Sequence, residues 1–269
     1  MGTMVAEPFG AVVPEISLPR APLVFVVAQA RFGRVASILS EEFIAGFQEG
    51  IRANYPKMRR EEQTTVLIGP DGRLLTTDAG TVWRFDEHPE QWQVALSPDS
   101  VALSTARYTS RSDFISRLGA VLTAAQRHLG IRFCDRLGVR YVDRVTDEDL
   151  LDRLPDLINS EIRGPVGAAL GERGVEQVHS FADTTYRLPG SAELHARWGV
   201  LPAQATLDPA IAPADMVSWV LDIDAYTQEQ LNFDAPALTA CAERLCERIY
   251  RFFRWAVTDE FLVAHGGRP

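Results

Sequence analysis

Two long stretches with helical hydrophobic spacing, each preceded by strands of alternating hydrophobicity, constrain the fold of this chain most strongly. Apolar residues recur every three or four positions from Phe114 to Leu129, and again from Leu238 to Ala256. A change of period from two to about 3.6 within each half is typical of a sheet covered on one face by a long helix. We therefore predict an α+β fold in which long helices pack on an antiparallel sheet.

The first half predicts a strand, a capped helix, an antiparallel meander and a long helix, in that order. Ser40 followed by Glu41 marks a helix start, since the hydroxyl can cap free N–H groups and the acid suits the helix dipole. Ser110 with Asp113 resembles a capping box. The predicted elements are a strand at 23–28, a helix at 41–55, strands at 64–68, 73–77, 82–85, 92–96 and 101–103, and a helix at 111–129.

The second half repeats this order of elements. It predicts a strand at 139–145, a helix capped by Thr146 that runs to Ile158, strands at 175–187, 192–200 and 216–224, a long helix ending at 256, and a short final helix after Thr258. We expect two pseudo-repeated units of strand, helix, antiparallel meander and long helix, at residues 19–132 and 133–269. Residues 1–18, which lack a sustained period, are predicted to be a flexible N-terminal arm.

Composition disfavours several partners and compartments. The net charge of −9 and pI of about 5.1 oppose non-specific binding to nucleic acid or anionic lipid. No apolar run approaches the roughly 20 residues of a membrane span. Three cysteines, an odd number without a CxxC pair, favour a reducing compartment over a disulfide framework. We predict a cytoplasmic protein that does not enter a membrane.

A shortage of lysine restricts the possible chemistry further. Lys57 is the single lysine among 27 basic residues, and it lacks the neighbouring glycines of a phosphate-binding loop. Lysine-dependent phosphate binding and Schiff-base catalysis are therefore disfavoured. The glycine-rich segment 164–174 has no GxGxxG spacing and is interpreted as a connector. Cys241 and Cys246 are interpreted as structural thiols, and we predict neither a cofactor nor a metal.

Polar residues on the later strands are the best candidates for chemistry. In a strand at 192–200, Glu193, His195 and Arg197 share one face, opposite Leu194, Ala196 and Trp198. If neighbouring strands present the same face, His179, His195, Asp222 and Asp224 could form an acid–base or metal site. The alternative is the solvated face of an ordinary antiparallel sheet, which we favour because no fixed ligand pattern is present.

Arginines concentrate between residues 107 and 144, where eight of them stand against three acidic residues. Such a basic stretch is typical of a phosphate-contacting surface in RNA-binding α+β proteins. Ion pairs within the protein or at a subunit contact explain it equally well, and we favour the intramolecular pairing. The candidate binding residues are Arg107, Arg111, Arg136, Arg140 and Arg144.

The segment from Arg136 to Val145, with the sequence RLGVRYVDRV, resembles the most recognisable strand of a sporadically distributed bacterial protein family of unknown function. The opening strand at Pro22–Val24 and the segment Leu221–Asp224 are similar to that family as well, as are Tyr108 and Phe114. The resemblance implies a stand-alone bacterial protein with an accessory or mobile-element role. It assigns no site residues.

These observations favour a non-enzymatic binding or interaction protein, as an accessory component of a mobile or defence-type bacterial system. Its partner is expected to be another protein or a second copy of itself, through a face of a long amphipathic helix. Two alternatives stay open. One is a ligand-binding protein or metal-assisted hydrolase with a cavity between sheet and long helix, and the other is RNA contact through the arginine stretch.

Overall fold

A computed structural model describes residues 9–10, 14–68, 74–89, 91–165 and 177–269, with the backbone alone at 63–68 and 74–79. Contacts divide the chain into two compact units. Unit 1 comprises Met1–Val26, Val139–Thr227 and Arg244–Pro269, and unit 2 comprises Val27–Gly138 and Gln228–Glu243. Compared with the predicted split after residue 132, unit 1 also includes residues 19–26, and unit 2 also includes residues 133–138 and 228–243.

The protein is mixed α and β with an antiparallel sheet and helices, as predicted. The elements of unit 2 are β1 (Leu23–Arg31, shared with unit 1), a 3-10 helix (Ala36–Leu39), α1 (Glu41–Ile51), β2 (Lys57–Ile68), β3 (Leu74–Asp86), β4 (Trp92–Ser97), β5 (Ser100–Thr105), α2 (Arg111–Leu129) and β6 (Phe133–Cys134). In this unit the strand order is β2-β3-β4-β5-β1. Helices α1 and α2 approach closely because Gly50 leaves room for Ala124.

The remaining elements are β7 (Arg136–Val145), three short helices α3 (Glu148–Asp152), α4 (Leu154–Leu157) and α5 (Ser160–Arg163), β8 (Ser180–Leu188), β9 (Ala192–Leu201), β10 (Ser218–Thr227), β11 (Leu231–Asn232), α6 (Ala235–Ala256) and α7 (Asp259–Ala264). All of them belong to unit 1 except β11, which belongs to unit 2 and pairs with β6, and parts of β7 and α6: β7 crosses the unit boundary, and α6 is divided after Glu243. In unit 1 the strand order is β1-β7-β10-β9-β8.

Local signals placed α2 correctly. The helix spans the predicted residues 111–129, the Ser110 hydroxyl accepts a hydrogen bond from the Asp113 backbone N–H, and Gly130 ends it in a left-handed conformation. The predicted helix 41–55 instead ends at Ile51, and its last residues form a turn in which the N–H of Tyr55 donates to the Ile51 carbonyl.

The predicted helix from Thr146 to Ile158 is wrong as one element. It is two short helices, because Pro155 cannot continue an α-helical hydrogen-bond ladder and occupies the first turn of α4 instead. Its cap is Asp147, which accepts from the Leu150 N–H. The two predicted strands at 73–77 and 82–85 are the single strand β3, and most of the glycine-rich segment 164–174 lies outside the described residues.

The N-terminal segment of unit 1 lies against its C-terminal end. Part of the predicted arm 1–18 lies outside the described residues, but the N–H of Ile16 donates to the Tyr250 hydroxyl at 2.9 Å. Arg20 donates from its side chain to the Ala264 carbonyl and from its backbone to the His265 carbonyl. In the part of the chain that the structure describes, no helix combines the length and the apolar character needed to cross a membrane.

Candidate functional site

The predicted polar face exists on one side of β8, β9 and β10, which we call the outer face. Along β9, Glu193, His195 and Arg197 are partly exposed and alternate with buried residues. The opposite, inner side packs beneath α6, where the Trp198 and Phe252 ring centroids are 6.4 Å apart. The two-residue alternation of the sequence therefore predicted correctly which face of β9 carries these side chains.

Asp222 on β10 is the centre of an ion-pair network on the outer face. Arg140 on β7 donates two hydrogen bonds to it, from Nε to Oδ1 at 2.7 Å and from Nη2 to Oδ2 at 2.9 Å. Arg197, its register partner on β9, donates to Oδ2 from Nε at 3.1 Å and from Nη2 at 2.5 Å. The Asp222 side chain is only 2% exposed, so both guanidinium groups compensate the burial of its charge.

A second carboxylate, Asp208, joins the network from the segment 202–217 that follows β9. Its Oδ2 accepts a hydrogen bond from Nη1 of Arg140, and its Oδ1 accepts from the Ala210 N–H at 2.8 Å. Partial burial alone would raise the pKa of Asp208, but these hydrogen bonds hold it below its usual value. Two arginines thus face two carboxylates, and the network balances its own charge.

The same segment covers part of the outer face with apolar side chains. Leu201, Ile211, Val142 and Val220 form a small buried cluster, and Leu207 packs against it. Nη1 of Arg144 on β7 donates to the Ala212 carbonyl at 2.6 Å, and burial lowers the pKa of that guanidinium. Arg140, Arg144 and Asp222 therefore tie this segment to the sheet.

The two candidate histidines do not meet. Nε2 of His195 lies 2.7 Å from Oδ1 of Asp183 on β8, and Asp224 stands opposite His195 in the ladder with β10. His195 also pairs with Thr185. From Thr185 back to His179 the chain runs about 20 Å at roughly 3.3 Å per residue. The predicted convergence thus reduces to one exposed His–Asp pair and a separate buried ion-pair network.

The described residues contain no group of three or more His, Cys, Asp or Glu side chains arranged to hold a metal ion. A cleft of about 730 Å³ lies in unit 1 between the two ends of the chain. It is bordered by Pro14, Glu15, Ile16, Ser17, Pro19, Arg254, Gly266, Arg268 and Pro269. None of the four candidate residues His179, His195, Asp222 and Asp224 borders this cleft.

The candidate arginines belong to both units. Arg107 precedes α2, Arg111 begins it, and Arg136 begins β7, all in unit 2. Arg140 and Arg144 belong to unit 1 and bind acceptors of the protein itself. The intramolecular pairing that we favoured from the sequence accounts for these last two residues.

Asp143 is a buried acid that the sequence analysis did not select. It shares its side of β7 with the buried residues Val139 and Val145. Burial, together with the charge of Asp222, raises the pKa of Asp143 to about 7. The side chain therefore changes charge near neutral pH.

Asp208 was missed for a different reason. It lies in an irregular segment, where neither helical nor strand periodicity can assign a face, and its partner Arg140 is 68 positions away in the sequence. The one available signal was the excess of arginine near residue 140, which required a carboxylate partner if it was to be buried.

The resemblance of residues 136–145 to a bacterial family stays a prediction. The candidate residues accordingly have only the roles that their own geometry supports. No protein-family model matches the chain, and no curated protein matches it either.

Proposed function

We propose that this protein is a non-enzymatic binding protein whose partner is another protein chain. The observation that carries the proposal is a group of exposed apolar side chains at one end of β8, β9 and β10. Phe181 is 40% exposed on the outer face and stands opposite Gly199, which has no side chain to cover it. Exposed apolar groups set among polar ones are typical of protein interaction sites.

Register places the other members of this group at the same end of the sheet. Ser180 of β8 pairs with Val200, and Ser218 of β10 pairs with Leu201, so both strands begin level with the end of β9. Val178 precedes β8, while Met216 and Val217 precede β10, and all three are exposed. We call Val178, Phe181, Met216 and Val217 the apolar end of unit 1.

The long helices are less suitable as the binding surface than the sequence suggested. The apolar stripes of α2 and α6 are used in the core, since Leu118, Leu122, Leu245 and Phe252 are all buried. The proposed surface is therefore an end of the sheet, and its recognition mode differs from that of a helix laid in a groove.

The finer assignment, an accessory component of a mobile or defence-type bacterial system in the cytoplasm, is also part of the proposal. Its supports are the resemblance of residues 136–145 and the three cysteines Cys134, Cys241 and Cys246, which form no disulfide bond among the described residues. Cysteines without disulfide bonds are usual in a reducing compartment.

Light scattering of the full chain, alone and mixed with each product of the neighbouring genes, tests the proposal. We expect one mixture to elute at the summed mass of both chains. Phe181→Ser should weaken that complex by about tenfold or more, as loss of a central apolar contact does. Val263→Ser is the matched control, because Val263 is an exposed apolar residue on α7, which contributes no residue to the apolar end.

Two results would refute the proposal. One is a chain that binds none of these products. The other is a complex whose affinity neither Phe181→Ser nor Val263→Ser changes. The second result would show that binding uses a different surface.

A further inference from the structure

The two terminal strands in the strand orders of the units, β2 and β8, have opposite character. Terminal strands expose backbone N–H and C=O groups that can pair with another chain, and proteins commonly protect them with charge. Strand β2 of unit 2 begins with a cluster of charged residues: Lys57, Arg59, Arg60, Glu61 and Glu62. Strand β8 of unit 1 has only Asp183 and Arg187.

The remaining residues of β8 favour strand pairing. The sequence SFADTTYRL is rich in aromatic and β-branched residues and has no proline or lysine. Among the described residues, β8 pairs with β9 along one side and ends the strand order on the other. No described strand pairs with its second backbone edge, so this edge can accept an incoming strand.

The two charges of β8 make it complementary to itself. Asp183 and Arg187 are four residues apart, so both lie on the outer face. An antiparallel, two-fold pair of β8 strands centred on Thr185 brings Asp183 of each copy opposite Arg187 of the other. This symmetry creates two identical ion pairs from a single strand sequence.

Other two-fold registers lack this match. Centring on Asp183 or on Arg187 places like charges opposite each other, which is destabilising. Centring on Thr184 or Tyr186 leaves both charges opposite uncharged positions. Sliding one strand by a single residue relative to the other would place outer-face side chains opposite inner-face side chains.

We propose that β8 pairs antiparallel with β8 of a second copy of this chain, centred on Thr185. This inference deepens the proposed function by naming one partner, and it uses the middle of β8, whereas the apolar end begins at Phe181 and Val178. The partner is a second copy because, in an antiparallel pair of identical strands, the acid of each copy lies opposite the arginine of the other.

Both charged groups are available for this contact. The side chain of Arg187 is 93% exposed, and its contact with Glu193 is long at 3.8 Å. The side chain of Asp183 is 60% exposed. His195 contacts one carboxylate oxygen, and a carboxylate can accept further hydrogen bonds through the other.

Pairing of one strand buries less surface than the roughly 1,200–2,000 Å² of a stable complex. The dimer should accordingly be weak and dependent on concentration. Light scattering over a dilution series should give a mass that rises from 29.8 kDa toward twice that value.

Charge exchange provides the decisive test. Arg187→Asp and Asp183→Arg should each remain monomeric, because each places like charges opposite one another. A one-to-one mixture of these two variants should recover the dimer. In the heterodimer both aspartates of one chain lie opposite the two arginines of the other chain, so two ion pairs form. Circular dichroism checks that each variant folds.

Cysteine trapping tests the register independently. Thr185→Cys should form a disulfide-linked dimer under copper–phenanthroline oxidation, because directly opposite Cβ atoms are about 4.5–5.5 Å apart. Thr184→Cys is the matched control, since it faces Tyr186 of the other copy and should not cross-link. The unaltered chain controls for its own three thiols.

The outcomes separate this inference from the proposed function. A chain that stays monomeric at every concentration, or a dimer that Arg187→Asp leaves intact, overturns the β8 pairing. Cross-linking of Thr184→Cys in place of Thr185→Cys overturns it as well. Phe181-dependent binding to another protein would survive those results, and its loss alone would leave the β8 pairing standing.

Discussion

Both units place their opening strand beside the last strand of a meander, which among the described residues has four strands in unit 2 and three in unit 1, but their charges lie in different places. In unit 2 the opening strand β1 lies beside β5, the last strand of the meander, and in unit 1 the opening strand β7 lies beside β10, again the last. A duplication would leave this order, and the duplication itself stays a prediction. Unit 2 has charges on its edge strand β2, whereas unit 1 buries Asp222 in β10 and leaves β8 sparsely charged.

The two units should therefore differ in their sensitivity to substitution of a charged residue. Arg117 of unit 2 pairs with Glu87 at 2.9 Å and Asp113 at 3.2 Å, and its guanidinium lies over the Trp92 ring. Both of those carboxylates remain accessible to water. In the network around Asp222 the central carboxylate is instead only 2% exposed, so loss of an arginine partner leaves its charge away from water.

The largest expected effect breaks that buried network. Asp222→Asn should lower the free energy of unfolding by about 3 to 4 kcal/mol, because it leaves Arg140 and Arg197 partly buried without their shared counter-ion. Glu87→Gln in unit 2 is the control and should cost less than about 1 kcal/mol. Urea unfolding of both variants measures the difference, and equal losses would contradict the contrast between the units.

Alanine substitutions at two glycines with positive φ, one in each unit, should differ in their cost to stability. At Gly199 of unit 1, φ is +152° and an added Cβ would lie 1.9 Å from the Ser180 carbonyl oxygen. Gly199→Ala should cost about 2 to 3 kcal/mol through this collision and backbone strain.

The matched control is Gly80→Ala in unit 2. Gly80 has a φ of +104°, but no atom of the described side chains and backbone lies within 4 Å of an added Cβ. Its cost should be limited to the backbone conformation, about 1 kcal/mol. Thermal unfolding compares the two, and an equal shift in Tm would show that the Ser180 carbonyl moves aside.

The pH dependence of stability tests the buried acid of unit 1. Since the folded-state pKa of Asp143 is raised to about 7 from 3.8, the folded protein binds more protons than the unfolded chain between these values. Stability should therefore fall as pH rises from about 4 through 7. Asp143→Asn should remove this decline and gain about 2 kcal/mol at pH 8.

Asp208 provides a control of opposite sign. Its pKa is lowered in the folded protein, so its contribution is present above the unfolded pKa and is lost as pH falls. Asp208→Asn should lose stability at neutral pH and leave the decline from about pH 4 through 7 unchanged. Denaturant midpoints measured from pH 4 to 8 distinguish the two, and identical pH profiles would refute the assignment to Asp143.

The smallest expected effect concerns the accessible arginine of unit 2. Arg117→Met should cost about 1 kcal/mol, through the lost ion pairs and the cation–π contact at 4.4 Å with Trp92. Arg52→Met, which removes an exposed ion pair with Glu49 at 3.0 Å, should stay within about 0.5 kcal/mol. A cost for Arg117→Met near that of Asp222→Asn would remove the difference between the units.

Features of the fold were predictable from the sequence when they depend on residues that are close together in the chain. The bounds of α2 depend on Ser110, Asp113 and Gly130, all within or beside the helix, and they were predicted correctly. The alternation of Glu193, His195 and Arg197 was also predictable, because successive side chains of a strand point to opposite faces. The break at Pro155 was predictable in principle, since proline removes a backbone donor within the helical pattern.

The candidate site was predictable only in part. Residue types and their face on β9 followed from the sequence, but His195 has its contact with Asp183 and Asp222 has its contacts with two arginines. Which polar residues meet depends on the register of paired strands. Register is a property of the folded sheet and is not written in the pattern of a single strand.

The sequence alone determined the mixed α and β class, the helix α2 with its caps, and the polar side of β9, because each depends on neighbours within a few residues. Only the tertiary structure decided that Arg140 binds Asp222, 82 positions away in the sequence, that Asp143 is buried, and that β8 ends the strand order of unit 1. Chain folding brings those groups together by long-range strand pairing, which local hydrophobic periodicity does not encode.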